Sequence, residues 1–481
     1  MEEPPRDLLA CQCRLEPGDQ LEITIPGRSL LSHPPSVVSS FQTGVPVGSD
    51  PMFGVAKPLG IAIDIGTTTV AAMLAELSSG KVLATATALN AQVSLGDNVL
   101  TRIHLCQEDK TNIALLQKAF WQETFQPLLR KLLRESGAAA SDIAGLVVAG
   151  NTTMLHLACC ADPTPMGSVP FTPEFLAQRL FSGDEFGLQD NLPVVFLPGI
   201  SAFVGADISA GAVCCGVRYG ERPELLVDVG TNGEILLCGT KGLHACATAA
   251  GPAFEGCGLL CGMRAAQGVV GGIELRNPCD AGFAVHLEII GGGDGVLHGI
   301  TGSAYIDFLA EGRKIGLLNE NGRFEKDFVA AHPDRFRQEA HGLSLLLSPA
   351  HPHIRISEVD VALLLQAKAA IAAGIETLLG LQGLQASDIG RVCLAGGFGL
   401  HLSIPNAIAC GLLPGFRVDQ ISAVGNTSLG GAYLAMLDRS LALEMNDLRA
   451  EITTVELNLD PNFEDRFLDH LSLPCPAPAM H

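Results

Sequence analysis

The chain has 481 residues, 47% of them hydrophobic and only 17% charged, with 51 Asp and Glu against 30 Lys and Arg. A charged share below the ~25% of an average soluble domain excludes a largely disordered chain. A net charge of −21 excludes a free-standing nucleic-acid binder, which needs clustered cations against phosphate.

The opening residues, MEEPPRDLLA, are acidic and Pro-containing, without the basic start and apolar run of a secretory signal. No uncharged apolar run of eighteen residues follows, so the expectation is a cytoplasmic, soluble protein with no membrane association. The fifteen Cys then read as reduced thiols rather than a disulfide framework. The adjacent pairs Cys159/Cys160 and Cys214/Cys215, and the C-x3-C of Cys257 and Cys261, read as structural thiols.

Residues 1–57 form a small module or linker: one alternating strand, Leu21 to Pro26, then Gly, Ser and Pro punctuation. A first unit spans 58–221. LGIAIDIGTTTVAAMLAEL, from Leu59, reads as strand, Gly turn and strand, with a further strand near KVLATA at 81–86. Apolar periodicity predicts a long helix from Ile113 to Ser136. A buried strand, Ile143 to Ala149, leads through GNTT into an apolar helix, where Asn151 and Thr152 are candidate caps or coupling residues. A second unit spans 222–481. ELLVDVGTNGEILLC, from Glu224, repeats the frame Asp-x-Gly-Thr between two apolar runs, 164 residues after the first, so two lobes share one plan. A helix from Ser357 to Leu379, the strand and GGFG of Arg391 to Gly399, the GNTSLGGA helix start at 425–432, and a strand and amphipathic helix within 453–475 complete it.

The two turns carry the chemistry. Gly66 and Gly230 leave backbone amides open to an anion. Thr67, Thr68, Thr69 and Thr231 add hydroxyls, beside Asn232. Asp64 and Asp228 add carboxylates able to hold a hydrated magnesium ion. Two such turns face to face would clamp a polyphosphate, and Gly396, Gly397 and Gly399 would let a nucleoside pass close. Lys368 reads as a residue that reaches the cleft or, in preference, snorkels to solvent, and Glu255 as a carboxylate with a structural, interdomain or nucleotide partner. His104, His156, His244 and His298 share no metal-ligand spacing and read as core or surface residues.

Phosphate turn, phosphate turn and adenosine loop, in that order, resemble the acetate and sugar kinase, actin and heat-shock chaperone ATPase superfamily. GDNVLTRI (96–103), GNTTMLHL (150–157), PGISAFVGADISAG (198–211), DVGTNGEI (228–235), AGPAFEG (250–256), QAKAAIAAGI (366–375), AGGFG (395–399), IACGLLP (408–414) and GNTSLGGA (425–432) more narrowly resemble the ATP-dependent reductive activators of corrinoid proteins. The resemblance implies an α/β fold of two ribonuclease H-like lobes around an ATP and magnesium cleft, behind a small N-terminal module. It implies an ATPase that restores Co(I) from Co(II) in a corrinoid protein or corrinoid-dependent methyltransferase. Asp228, with Glu234 as runner-up, would orient the attacking water. It also implies a 2Fe–2S cluster upstream, whose fourth ligand Cys11 would match. Only ten residues precede Cys11, none of them Cys, so this chain alone is not expected to hold the cluster. A separate ferredoxin-like donor is one expectation, and the oligomeric state, a homodimer included, stays open. A small-molecule kinase or a nucleotide-gated binding module on the same fold are the competing readings.

Overall fold

The computed structural model describes residues 40–476, apart from 47, 49, 55, 219, 231, 277–282, 293–296 and the side chain of residue 400. Cys11, the strand expected at Leu21 to Pro26, and Thr231 lie outside the described residues.

Two six-stranded sheets organise the chain. The first holds β1 (Leu59–Ile65), β2 (Thr69–Glu76), β3 (Val82–Leu89), β4 (Ile143–Gly150), β5 (Arg179–Ser182) and β6 (Pro193–Phe196) in the order β3-β2-β1-β4-β6-β5. β1, β4 and β6 run parallel, and β2, β3 and β5 run antiparallel to their neighbours. β1 and β4 are almost wholly buried, as central parallel strands covered on both faces must be.

The second lobe starts with β7 (Glu224–Val229), β8 (Gly233–Gly239) and β9 (Gly242–Thr248). Two small sheets are inserted next. One is built from β10 (Val269–Arg276), β11 (Ala284–Ile289) and β12 (Gly299–Ile300), the other from β13 (Phe336–Glu339), β14 (Gly342–Leu346) and β15 (Arg355–Ser357). The main sheet closes with β16 (Arg391–Ala395), β17 (Ile421–Gly425) and β18 (Ile452–Thr454), in the order β17-β16-β7-β8-β9-β18. Its parallel trio β7, β16 and β17 matches β1, β4 and β6 of the first. Both sheets therefore turn the carboxyl ends of three parallel strands, where ligands of open α/β sheets bind, toward the same crevice.

The helices Ala206–Cys215 and Thr427–Leu437 follow the third parallel strand of each sheet and pack on one another. Small residues make the contact. A Cβ on Gly431 would sit 2.2 Å from the Ala210 carbonyl oxygen, and one on Gly211 would sit 2.9 Å from Thr427 Oγ1. Residues just before β1 lie along this junction. The Gly44 N–H donates to the Cys214 carbonyl (2.7 Å), and the Ser40 carbonyl accepts from the Asn426 N–H (3.2 Å).

Some elements differ from the sequence reading. The helix predicted over 113–136 is Thr111–Lys118, a π-helical stretch Ala119–Phe125, then Gln126–Ser136. Pro127 has no N–H to return to the preceding turn, which is where the widened turn sits. The strand expected from 453 pairs only through β18, beside β9, before a 3-10 turn at Leu457–Leu459. Lys368 corrects the snorkelling expectation: it is fully buried, and its Nζ donates to the carbonyls of His470 and Ser472. An ammonium that fastens the last helix to its neighbour has no need of solvent, and burial lowers its pKa to about 8. Its helix, Glu358–Gln382, is long and apolar enough to cross a membrane, but 78% of its most apolar window is buried within the second lobe.

Candidate functional site

One cleft collects both turns. Turn one joins β1 to β2, and its carbonyls are all held from behind. Gly66 O accepts from Asn90 Nδ2 (3.0 Å), Thr68 O from the Asn90 N–H (2.8 Å), and Thr67 O from Arg102 Nη2. Thr67 Oγ1 accepts from Asn151 Nδ2 (2.9 Å). Asn151 also caps its own helix by accepting from the Met154 N–H (3.0 Å), so the two roles expected of it coexist. The N–H groups of Gly66, Thr67 and Thr68 find no acceptor among the described residues. Carbonyls turned inward and amides left over make an anion-binding concavity. Gly66 is required by space: a Cβ there would stand 2.3 Å from the Thr69 carbonyl oxygen.

Turn two joins β7 to β8 and is built differently. Its Gly230 N–H is taken by the Asn232 carbonyl (3.0 Å). Its register sets Asp228 directly opposite Glu234, so both carboxylates share one face of the sheet. At the corresponding place in the first sheet Asp64 stands opposite Ala71. Asp64 accepts instead from Asn426 Nδ2 (2.9 Å) and Ser428 Oγ (2.7 Å), the N-cap and first turn of the helix after β17. Each Asp thus closes a parallel strand at the crevice, one anchored by amide and hydroxyl, the other paired with a second acid.

A fourth carboxylate joins them. Asp207, in the first turn of the helix Ala206–Cys215, lines the same cleft. Among the described residues no Lys or Arg lies within ion-pair distance of Asp64, Asp207, Asp228 or Glu234. Their pKa values rise accordingly. Asp228 is pushed up to about 8 by burial and then by Asp207, Asp64 and Glu255. Burial, with Asp64 beside it, pushes Asp207 up to about 7. Burial lifts Glu234 well above the usual range, helped by Asp207 and Asp228. Asp64 is raised by burial but held back by Ser428 and Asn426. Such a concentration of negative charge fits a cation. No group of three acidic, His or Cys side chains among the described residues converges closely enough to ligate one directly, which fits an ion held through its own water.

The far end of the cleft is less polar. Phe254 and Phe398 rings lie 5.0 Å apart; Met263, Ala265 and the start of the helix Gly302–Lys314, packed against the Phe254 carbonyl, also line the cleft. Gly396 and Gly397 line this stretch. Gly396 holds a positive φ, and a Cβ there would meet the Val229 carbonyl at 2.5 Å and Asp228 Oδ1 at 2.8 Å. Gly399 does not line the cleft; it sits in the turn behind, against Leu394. Glu255 pairs with Arg264 (3.2 Å) at the rim. Thr68, Thr69 and Asn232 also face the cleft. His156 is a core residue, stacked on Phe175 at 4.3 Å with Nδ1 on the Thr152 carbonyl. Cys257 and Cys261 are not joined in a disulfide, and Cys261 Sγ donates to the His353 carbonyl (3.0 Å).

Residues 59–219 match the RACo middle region, and residues 222–480 match the C-terminal domain of RACo, the ASKHA domain. The corrinoid activation enzyme RamQ of Eubacterium limosum is 32% identical over 424 residues, covering 86% of this chain and 70% of that protein. The chain belongs to the RACo family. The [Co(II) methylated amine-specific corrinoid protein] reductase of Methanosarcina barkeri is 24% identical over 444 residues, 86% of this chain and 76% of its own length. A solved reductive activator for corrinoid, iron-sulfur protein superposes with a TM-score of 0.79 at 37% identity, over 88% of this chain and 67% of that one.

In this RACo-family chain, several site residues escape motif reading. Asp207 is a lone acid in an apolar helix, although PGISAFVGADISAG contains it. Asn426 and Ser428 reach Asp64 from 362 and 364 residues away, and no local pattern announces that meeting. Arg102 sits in a helix where nothing distinguishes it from a surface residue.

Proposed function

We propose that this chain is an ATP-dependent reductive activator that restores Co(I) from Co(II) in a corrinoid protein. One electron passes from a ferredoxin-like donor to Co(II), while ATP and water become ADP and phosphate. The observation that carries the reading is the pairing, across one cleft, of an amide concavity with four carboxylates that lack a cation. Gly66, Thr67 and Thr68 offer amides and hydroxyls to the phosphates from one lobe. Thr231 and Asn232 would contribute from the other, where Gly230 lets the phosphates approach the backbone closely although its own N–H is held by the Asn232 carbonyl. Asp64 and Asp228 would hold a hydrated magnesium ion, which when bound would neutralise charge on the phosphates. Asp228, a carboxylate with a raised proton affinity opposite Glu234, orients and deprotonates the attacking water; Glu234 is its understudy. Gly396 and Gly397 let the nucleoside lie close to β16, against Phe398. Because the phosphates contact both lobes, ATP and ADP favour different lobe arrangements, and that difference drives the uphill electron transfer.

The test is nucleotide titration by calorimetry with Asp64→Ala and Asp228→Ala. Both should weaken magnesium-ATP binding by about tenfold or more, roughly the worth of one charged contact. Unchanged binding in both removes the site. ADP release should rise with a Co(II) corrinoid protein and not with sugars or carboxylates; the opposite response would make the chain a small-molecule kinase.

A further inference from the structure

Arg102 is the charge that the site as described does not use. It lies on the helix Val99–Glu108 and is completely buried. Its Nε donates to the Gly96 carbonyl (2.8 Å), Nη1 to Gln92 Oε1 (3.0 Å), and Nη2 to the Thr67 carbonyl of turn one. All these acceptors are neutral, and among the described residues no carboxylate lies within ion-pair distance, Asp97 acting on it only from beyond that range. A buried cation without a counter-ion is costly. Apolar replacement would avoid that cost, so the charge needs a purpose. The cleft beyond Thr67 has the complementary problem. Its charged lining is Asp64, Asp207, Asp228, Glu234 and Glu255, against Arg264, which is already paired with Glu255. A polyphosphate entering there meets acids and one committed guanidinium.

We infer that Arg102 is the positioning residue and counter-charge for the phosphates, acting through turn one without touching them. Its fork holds the Thr67 carbonyl away from the cleft, which leaves the Thr68 amide of the same peptide pointing at the anion, as Asn90 does for the Thr67 amide through the Gly66 carbonyl. Its charge lies one peptide group behind that carbonyl, in a region shielded from water where charge acts strongly. The inference rests on the cleft being the ATP site, and it adds a selectivity: Arg102 should discriminate by ligand charge, favouring ATP over the bare nucleoside.

The experiment compares ATP and adenosine binding to the full chain and to its Arg102→Gln and Arg102→Lys forms, with circular dichroism and melting temperature as folding controls. Arg102→Gln should weaken ATP by at least tenfold while adenosine changes by less than about twofold. Arg102→Lys keeps the charge with a poorer fork and should recover ATP affinity to within roughly threefold of the parent chain. Equal losses for ATP and adenosine, or a Lys form as weak as the Gln form, overturn the inference in favour of a purely structural role. Should the Gln form not fold, the Lys form decides by the same ATP-to-adenosine comparison. Failure of the unaltered chain to bind ATP would instead remove the underlying site, a result distinct from any Arg102 outcome.

Discussion

Turn one and turn two share the frame Asp-x-Gly-Thr, yet the protein has built them for different work. Turn one is rigid. Its three carbonyls are tied down by Asn90 and Arg102, its glycine has no room for a Cβ, and its aspartate is anchored by Asn426 and Ser428. Turn two is plainer at its glycine but carries the reactive charge, with Asp228 facing Glu234. The two bends differ at one cross-strand position, Ala71 in one and Glu234 in the other; under the proposed function this makes one a receptor and the other an acid–base site. A preorganised phosphate receptor and a strained carboxylate pair serve opposite needs, since rigidity favours binding and raised pKa values favour proton transfer.

The largest effect should come from turn two. Asp228→Asn should lower ATP hydrolysis by ~10²–10⁴-fold, the usual worth of a positioned base, measured as ADP release. The same change should stabilise the nucleotide-free protein. The folded pKa of Asp228 is raised from 3.8 to about 8, so the folded state binds more protons than the unfolded one between those values, and stability of the parent chain falls as pH rises through that window. Asn escapes this loss. Melting temperatures should therefore diverge from pH 5 upward and differ most at pH 8 and above. A hydrolysis loss of the same size from Asp64→Asn, with Asp228→Asn active, would reverse the assignment of the two turns.

The glycines sharpen the contrast next. Gly66→Ala forces its Cβ against the Thr69 carbonyl at 2.3 Å, whereas the nearest atom to a Cβ on Gly230 is the Asn232 carbonyl oxygen at 3.7 Å. Overpacking of the first kind costs about 1–3 kcal/mol, and the second should stay within ~0.5 kcal/mol. Thermal melts of the two variants give the answer directly. Equal destabilisation would mean that turn two is as tightly held as turn one.

Much of this arrangement can be read from residue order, and the rest cannot, for a physical reason. Alternation and apolar runs reveal β1, β2, β7 and β8, and the register of a hairpin follows from its turn, so Asp64, Asp228 and Glu234 are legible as a group. Gly396 and Gly397 are legible because close backbone approach at a strand end needs glycine. Gly399 shares their motif but packs against Leu394, while Phe398 and His401 on either side of it line the cleft. Lys368 misleads because a long amphipathic side chain in an apolar helix looks the same whether it reaches water or buried carbonyls. Asn426, Ser428, Asp207 and Arg102 act through contacts set by the meeting of distant segments, and hydrophobic periodicity carries no information about such meetings.

The smallest predicted effect probes that long-range contact. Ser428 Oγ donates to Asp64 Oδ1 at 2.7 Å, and this bond pulls the carboxyl pKa down against the effect of burial. Ser428→Ala removes the donor while leaving the helix cap of Asn426 on the Leu429 N–H in place. Loss of a hydrogen bond to a charged group is worth ~1.5–3 kcal/mol at most, and Asn426 retains the second one, so magnesium-ATP affinity should drop by about five- to tenfold at pH 7. Because the missing bond favoured the ionised form, the Asp64 pKa rises further in the variant. The affinity defect should then narrow as pH is raised, because a higher pH favours the ionised carboxylate with or without the bond. A defect constant across pH would mean that Ser428 only shapes the start of its helix, and that the anchoring of Asp64, which distinguishes turn one from turn two, lies with Asn426 alone.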